Sequence, residues 1–434
     1  MGSNGTNADR VAIVGALRTP FLKAGTGFKD MTTVELSTAV VSELVQRMGV
    51  DPKLFTLCVF GQVMPSLDYI NLAREIVLRT TLDRSIEAYS VSRACATSMQ
   101  ALTNAIESIE RGDHDAALTG GADSMDDLPI GVSRNLARGL MAFQKAKTGM
   151  DRLKILSKLS PKDLVPPVPG YSVEPTTGLS MGQSAEKMVK ENAISRQQQD
   201  EIAWRSHDRA SKAWDDGFYD DLVMPVVAPP FKEGVRQDNI FRKGSKLEEY
   251  AELRPVYDRA HGTITAGNAS PLTDGAAAVA VMRESRAKAL GLTPLGYVRS
   301  YAYTAVDPDW QLLMAPVFAV PKALARAGLS MKDISLVEMH EAFAAQVASN
   351  LQALASRRFC EEKLGLSEAI GEIDPAILNV NGGSIALGHP FGATGARIVA
   401  QGLKELRRRN KQFGLMTICT GGAMGVAAVL EVAS

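Results

Sequence analysis

Short apolar runs bounded by glycine, proline or small polar residues alternate along this 434-residue chain with stretches whose apolar residues recur every three to four positions. The first kind reads as buried strands and the second as amphipathic helices. Val11 to Ala16 predicts a buried strand and Val34 to Val45 an amphipathic helix. Tyr89 to Val91 leads into a helix marked by Met99, Leu102, Ile106 and Ile109, and Ala116 to Thr119 predicts a strand ending in Gly120-Gly121. The same order returns later. A strand at Leu295 to Val298, a helix through Pro321 to Ala327 and a strand-to-helix junction at His340 are followed by Leu378 to Val380, which leads through a glycine-rich turn into another helix. A strand ending at Cys419 and a last strand from Val426 to Val432 complete the series. The alternation predicts an α/β protein, and its recurrence predicts two similar halves.

Between them lies a segment that breaks the alternation, so the chain divides into a first half made of 1–126 and 254–290, an insertion at 127–253 and a second half at 291–434. The insertion is polar, proline-bearing and irregular up to Gly178, then helical through Gln183 to Gly217. Within it Lys145, Lys147, Arg152, Lys154 and Lys158 gather with Leu140, Met141, Phe143, Leu153, Ile155 and Leu156, a basic amphipathic stretch with the pattern of a surface helix.

Composition narrows the picture. The length suffices for two core-bearing domains, and 45% hydrophobic residues is ordinary for a water-soluble globular chain. Lys and Arg number 48 against 48 Asp and Glu, so no global field attracts nucleic acid or a membrane and any such contact must be local. Four cysteines in no framework pattern argue for a reducing compartment. The first ten residues carry neither an apolar core nor an arginine-rich amphipathic pattern, and no apolar run is long enough to span a bilayer, so a cytoplasmic location is expected.

Candidate chemistry concentrates at element ends. Cys95 lies where a polar strand end turns into a helix of small residues, and exposed N–H groups at a helix start favour thiolate over thiol. A free cysteine is otherwise a small buried hydrophobe, so its partners matter. His389 sits in the run from Asn379 to Arg397 with glycines on both sides, which permit close backbone approach, and an imidazole held there can take a proton from a thiol. Cys419 ends a buried strand at the turn Gly421-Gly422, and His340 occupies the strand-to-helix junction His340-Glu341-Ala342-Phe343. These residues lack the short paired spacings of structural zinc sites, so no metal is expected. No dinucleotide fingerprint or Walker-type phosphate loop is present in the sequence. Cys58 reads as core strand, Cys360 as part of a charged helical stretch, His114 and His261 as turn residues, and His207 as structural or solvated on a helix.

Together the segments resemble the thiolase family, along nearly the whole chain. Arg18-Thr19-Pro20-Phe21, the Cys95 run, Gly120-Gly121-Ala122-Asp123-Ser124-Met125, Thr265-Ala266-Gly267-Asn268-Ala269-Ser270, the His389 run and the Cys419 turn occur in the family's order. His340 stands where most members carry Asn, a departure shared with the thiolase (beta) subunits of fatty-acid oxidation trifunctional complexes. The resemblance implies a five-layer α/β/α/β/α sandwich of two βαβαβαββ halves with an inserted loop domain covering CoA. It implies a 3-ketoacyl-CoA thiolase of fatty-acid β-oxidation that uses CoA as a substrate and no cofactor. The alternatives are an acetoacetyl-CoA thiolase working in the synthetic direction, a decarboxylating ketoacyl synthase, and a silent acyl-CoA binding protein.

By motif match the resemblance makes Cys95 the acylated nucleophile, His389 its activating base and Cys419 the second acid/base. It assigns one oxyanion hole to His340 with His389 and another to the backbone N–H groups of Cys95 and Gly421. Ser270 falls at the position that contacts the pantetheine of CoA, although Pro271 follows where Gly is common, and Glu341 is expected to be a buried carboxylate that orients its neighbours. The expected partners are CoA and 3-ketoacyl-CoA, a second copy in at least a homodimer, and a hydratase/dehydrogenase alpha subunit. The basic stretch is expected to meet CoA phosphates, a partner subunit or, weakly, a membrane surface.

Overall fold

The computed structural model describes residues 9–129, 131–165 and 173–433. The N-terminal run read as lacking a leader lies, up to residue 8, outside the described residues, as does 166–172 of the insertion. Two mixed sheets carry the architecture. The first has five main strands, β1 (Val11–Arg18), β2 (Leu57–Gly61), β3 (Glu87–Val91), β4 (Ala116–Asp123) and β5 (Thr273–Arg283), in the order β1-β5-β4-β2-β3. The second has β6 (Tyr297–Ala305), β7 (Leu336–Met339), β8 (Phe413–Thr420) and β9 (Met424–Glu431), in the order β7-β8-β9-β6. Matching β1 to β6, β2 to β7, β4 to β8 and β5 to β9 superimposes the two orders, so the repeat read from the sequence is a structural repeat.

Strand alternation distributes the core into layers. Along β5, Ala276, Ala278, Ala280 and Met282 face an outer cluster with Val40, Leu44 and Ile76, from the Thr33–Met48 and Leu72–Arg79 helices. Ala277, Val279 and Val281 face inward, toward Leu102 and Ile106 of the Thr97–Arg111 helix and Ile398 and Leu403 of the Thr394–Arg408 helix. The second sheet closes the same inner cluster with Ile418, Val426 and Leu430, and turns Val337, Ala427 and Val429 outward against Val317, Val320 and Val347. Two sheets with one helical layer between them and one outside each make the expected five-layer sandwich.

Two readings are corrected. The strand expected at Leu378–Val380, the counterpart of β3, is reduced to a single parallel bridge between Val337 and Leu378. Asn379 takes a positive φ of 44° and its side chain pairs with Met339 instead. It accepts the Met339 N–H at 2.8 Å and donates to the Met339 carbonyl at 2.9 Å, so a side-chain amide replaces the missing backbone partner. The insertion is also less irregular before Gly178 than its polarity implied: Arg134–Lys145 and Gly149–Leu156 are helices, with Ser133 and Thr148 accepting N–H groups at their starts. Neither helix has a buried residue, so capping and local propensity hold them rather than packing. The later insertion helices, Met181–Asn192 and Arg196–Asp215, both start at capping boxes and pack on the Ala344–Ala355 helix. The insertion is tied back to the first half by a buried fork between Arg18 and Asp238, with both N–O distances 2.7 Å.

Candidate active site

The two central helices meet end to end, and that junction builds the site. Ser98, in the first turn of Thr97–Arg111, donates its N–H to the Gly392 carbonyl at 3.2 Å, and its hydroxyl accepts the Ala396 N–H at 2.9 Å. Each helix start thereby satisfies donors that a side-chain cap would otherwise serve. Only glycine fits at the contact. A Cβ on Gly121 would lie 2.2 Å from the Gly392 oxygen, and one on Gly395 would lie 2.8 Å from the Met99 nitrogen. Asp123, buried at the end of β4, clamps the same junction by accepting the N–H groups of Val63 (2.9 Å), Met64 (2.8 Å) and Gly392 (2.6 Å). Burial nevertheless pushes its carboxyl up to about 7, against the pull of those donors.

Cys95 precedes its helix directly after Ala94, which takes a positive φ of 44°. The N–H groups of Gly421 and of Cys95 itself point at the sulfur. The thiolate expected at this helix start is not the resting form, because burial pushes the thiol up to about 12, overriding those donors. Cys419 lies at the end of β8, and burial and the neighbouring Cys95 raise it well above the usual thiol range.

His340 extends the β7–β8 pairing by donating its N–H to Thr417 at 2.9 Å, and His389 is fixed by donating its N–H to Thr273 Oγ1 at 3.1 Å. Their rings lie 4.1 Å apart, and Cys95, His340 and His389 each offer a ligating atom within 4.8 Å of the others. Both imidazoles are buried and hydrogen-bonded at Nδ1, while both Nε2 atoms have no partner among the described residues. Burial holds both rings neutral, His389 down to about 3 and His340 well below its ordinary value.

Neutral rings carry one N–H each, and donor counting places it. Thr394 Oγ1, 2.6 Å from His389 Nδ1, already spends its hydrogen on the Pro390 carbonyl at 3.0 Å. His389 Nδ1 must therefore be the donor, which leaves a lone pair at Nε2. Ser384 Oγ, 2.8 Å from His340 Nδ1, accepts from the buried Arg397 guanidinium at 2.6 Å and has no other acceptor among the described residues. Its hydrogen goes to His340 Nδ1, which puts the ring proton at Nε2. The two histidines thus face the site in opposite senses, one basic and one donating.

The other residues singled out in the sequence take supporting places. Glu341 is buried and accepts from Ser206 Oγ (2.7 Å), Asn379 Nδ2 (2.6 Å) and the Ile385 N–H (3.2 Å), and burial raises its carboxyl. Ser270 is half-buried and donates its hydroxyl to the Ala342 carbonyl at 3.1 Å, on the segment that also faces Cys419. His207 is buried, accepts the Arg242 N–H at 3.2 Å and is pushed by burial down to about 3. Cys58 and Cys360 are core residues. The sequence reading gave no role to Asp123, Ser384, Thr394 or Arg397, although all four lie inside runs it singled out, because each acts through a partner distant in the chain or one turn away.

Comparison with known proteins places this geometry. The thiolase N-terminal domain matches residues 11–285 and the thiolase C-terminal domain residues 292–432. A 3-ketoacyl-CoA thiolase of Aeromonas salmonicida (strain A449) is 54% identical over 424 residues, 98% of this chain and 97% of the relative. The crystal structure of the Bacillus anthracis acetyl-CoA acetyltransferase superimposes with a TM-score of 0.84 at 31% identity, covering 98% of this chain and 99% of that one. Human mitochondrial 3-ketoacyl-CoA thiolase in complex with CoA superimposes with a TM-score of 0.81 at 32% identity, covering 98% of each. A duplicated five-layer fold, a Cys/His/Cys cluster at the junction of its halves and full-length similarity agree: the chain belongs to the thiolase family of acyltransferases.

Proposed function

We propose that this protein is a 3-ketoacyl-CoA thiolase of fatty-acid β-oxidation, with Cys95 as nucleophile, His389 as its base and Cys419 as second acid/base. The observation that carries the reading is the pair of opposed Nε2 atoms beside the Cys95 thiol. As substrate arrives, His389 Nε2 takes the thiol proton and Cys95 sulfur attacks the 3-keto carbon. The oxyanion that forms is met by a preorganised donor, and collapse breaks the C2–C3 bond, leaving its electrons on the acetyl-CoA enolate. Cys419 protonates the enolate carbon, and the proton left on His389 Nε2 then passes to the Cys419 thiolate, so both groups regain their starting protonation before CoA enters. In the second half-reaction His389 takes the proton of a fresh CoA thiol, that sulfur attacks the acyl-Cys95 thioester, and Cys95 leaves to recover its proton.

His340 Nε2–H serves one thioester oxygen and the Gly421 and Cys95 N–H groups serve the other. Because the His340 proton already points into the site, direct donation is the reading we favour. Glu341 orients the Asn379 and Ile385 segment under His340. Ser270, with its hydrogen committed to Ala342, keeps lone pairs for a pantetheine amide N–H. CoA enters as a substrate and no metal or cofactor takes part.

The β3 edge, paired among the described residues only with β2 and flanked by the exposed Leu67 and Ile70, supports a homodimer. The helices Arg134–Lys145 and Gly149–Leu156 expose Leu140, Met141, Met150 and Leu153 among basic residues, which supports a hydratase/dehydrogenase alpha subunit or a weak membrane-surface contact there. No helix among the described residues is long and apolar enough to cross a membrane, and we assign a cytoplasmic location.

The test is CoA-dependent loss of 3-ketoacyl-CoA absorbance for substrates from short to long acyl chains, with Cys95→Ala as the blank. Turnover that rises with chain length is expected. Turnover confined to acetoacetyl-CoA would move the assignment to the synthetic thiolase, and none at any length would leave an acyl-CoA binding protein.

A further inference from the structure

The sequence argued against a metal because the Cys and His residues are far apart along the chain, yet the fold brings three of them to one point. Cys95, His340 and His389 offer ligand atoms within 4.8 Å of one another, and the two imidazole nitrogens facing the site are buried without a partner among the described residues. We infer that this cluster also binds a thiophilic divalent cation of the Zn2+ class through Cys95 Sγ, His340 Nε2 and His389 Nε2, and that the bound cation reversibly blocks turnover.

The ligand set is the soft one such cations take, and three protein ligands leave a fourth position open. Zinc bonds of about 2.3 Å to sulfur and about 2.0–2.1 Å to nitrogen require the triangle to tighten by roughly 1 Å. Neither Nε2 has a hydrogen bond among the described residues to break in that movement. His389 already donates from Nδ1 to the Thr394 hydroxyl at 2.6 Å, the outer anchoring that metal-bound imidazoles need, whereas His340 Nδ1, 2.8 Å from Ser384 Oγ, must change from acceptor to donor. The His340 proton moves from Nε2 to Nδ1 and is accepted by Ser384 Oγ, a step that gives up the one hydrogen bond Ser384 donates and that the new metal bond must outweigh; the Cys95 thiol proton leaves to solvent as the cation takes its place, and nothing is oxidised or reduced. Cation and acyl group then compete for the same sulfur.

Co2+ is the spectroscopic probe, added to the full chain after chelator treatment and without CoA, whose own thiol would bind it. One tetrahedral Co2+ per chain with a thiolate-to-metal charge-transfer band is expected. The band should vanish in Cys95→Ser, weaken at least about tenfold in affinity in Thr394→Val, and fail to form on enzyme first acetylated at Cys95. Zn2+ should displace Co2+ and abolish turnover until a chelator is added. Absence of the band up to millimolar Co2+, or its survival in a folded Cys95→Ser variant, would overturn the inference. Should that variant misfold, alkylated wild-type protein replaces it, with the same two outcomes. The spectrum needs no turnover, so its failure is separate from failure of the thiolase reading.

Discussion

Replacing His340 by alanine isolates the donor assigned to the oxyanion. The ring is fully buried, is kept neutral by burial, and has one N–H, which Ser384 directs into the site. Losing one such donor from a water-excluded hole costs about 10²–10³ in kcat, or about 2.7–4 kcal/mol. His340→Ala should therefore lower kcat by that factor with little change in KM, since the donor acts on charge that appears only in the transition state. His340→Asn should fall between, because its shorter amide reaches Ser384 and needs a water to bridge the remaining gap. Ser384→Ala leaves the ring in place but removes both the hydrogen bond that selects its tautomer, a bias of about 1 kcal/mol, and an acceptor of the buried Arg397 guanidinium, so kcat should fall at least about fivefold. The assay is steady-state thiolysis alongside single-turnover loss of the 3-keto absorbance without added CoA, which isolates the acylation half. If His340→Ala keeps kcat within about threefold of wild type, far inside the range for a lost oxyanion donor, the tautomer argument fails. A raised KM with intact kcat would reduce the ring to substrate packing.

Three further outcomes follow from the geometry. Gly121→Ala puts a Cβ 2.2 Å from the Gly392 oxygen and must displace the His389 turn, so kcat should drop about 100-fold in steady-state assays while CoA binding by calorimetry changes far less. Asp238→Asn leaves the buried Arg18 guanidinium uncompensated and should cost about 3–5 kcal/mol in urea unfolding, whereas Arg18→Met combined with Asp238→Asn should recover part of it. His207 has a folded value of about 3, below the ordinary 6.5, so the stability tied to its neutral form is complete above pH 6.5 and is lost as pH falls toward 3. Wild type should lose about 2 kcal/mol more than His207→Gln between pH 7 and pH 5, and equal losses would show that the ring is protonated in the native state.

How much of this could be read from residues alone depended on the range of the interaction. The strands and central helices were legible because their apolar periods are local, and the duplication was legible because the same periods recur. Cys95, His389 and Cys419 could be singled out since each stands in a run of small residues that only close approach explains. The tautomers could not, because they are decided by Thr394, Ser384 and Arg397 through hydrogen bonds that no pattern encodes. Asp123 looked like part of a glycine turn until its carboxylate was seen to accept from Gly392, in the other half of the chain. The failed strand at Leu378–Val380 shows the reverse limit: its residues suit a strand, but Asn379 satisfies Met339 with a side chain and frees the backbone to turn toward His389. The helices at 134–156 were legible only as one basic amphipathic stretch, because neither buries a residue and no apolar period marks the start at Arg134 or the break between them.

The resting thiol has a consequence for how the protein endures. Peroxide and other electrophiles attack thiolate, and a sulfur whose proton is held to about 12 presents almost none of it at neutral pH. On the proposed mechanism the proton moves to His389 only when an acyl substrate is in place. On that reading Cys95, which is only half-buried, is kept from irreversible oxidation between turnovers by its retained proton rather than by being shut away from solvent.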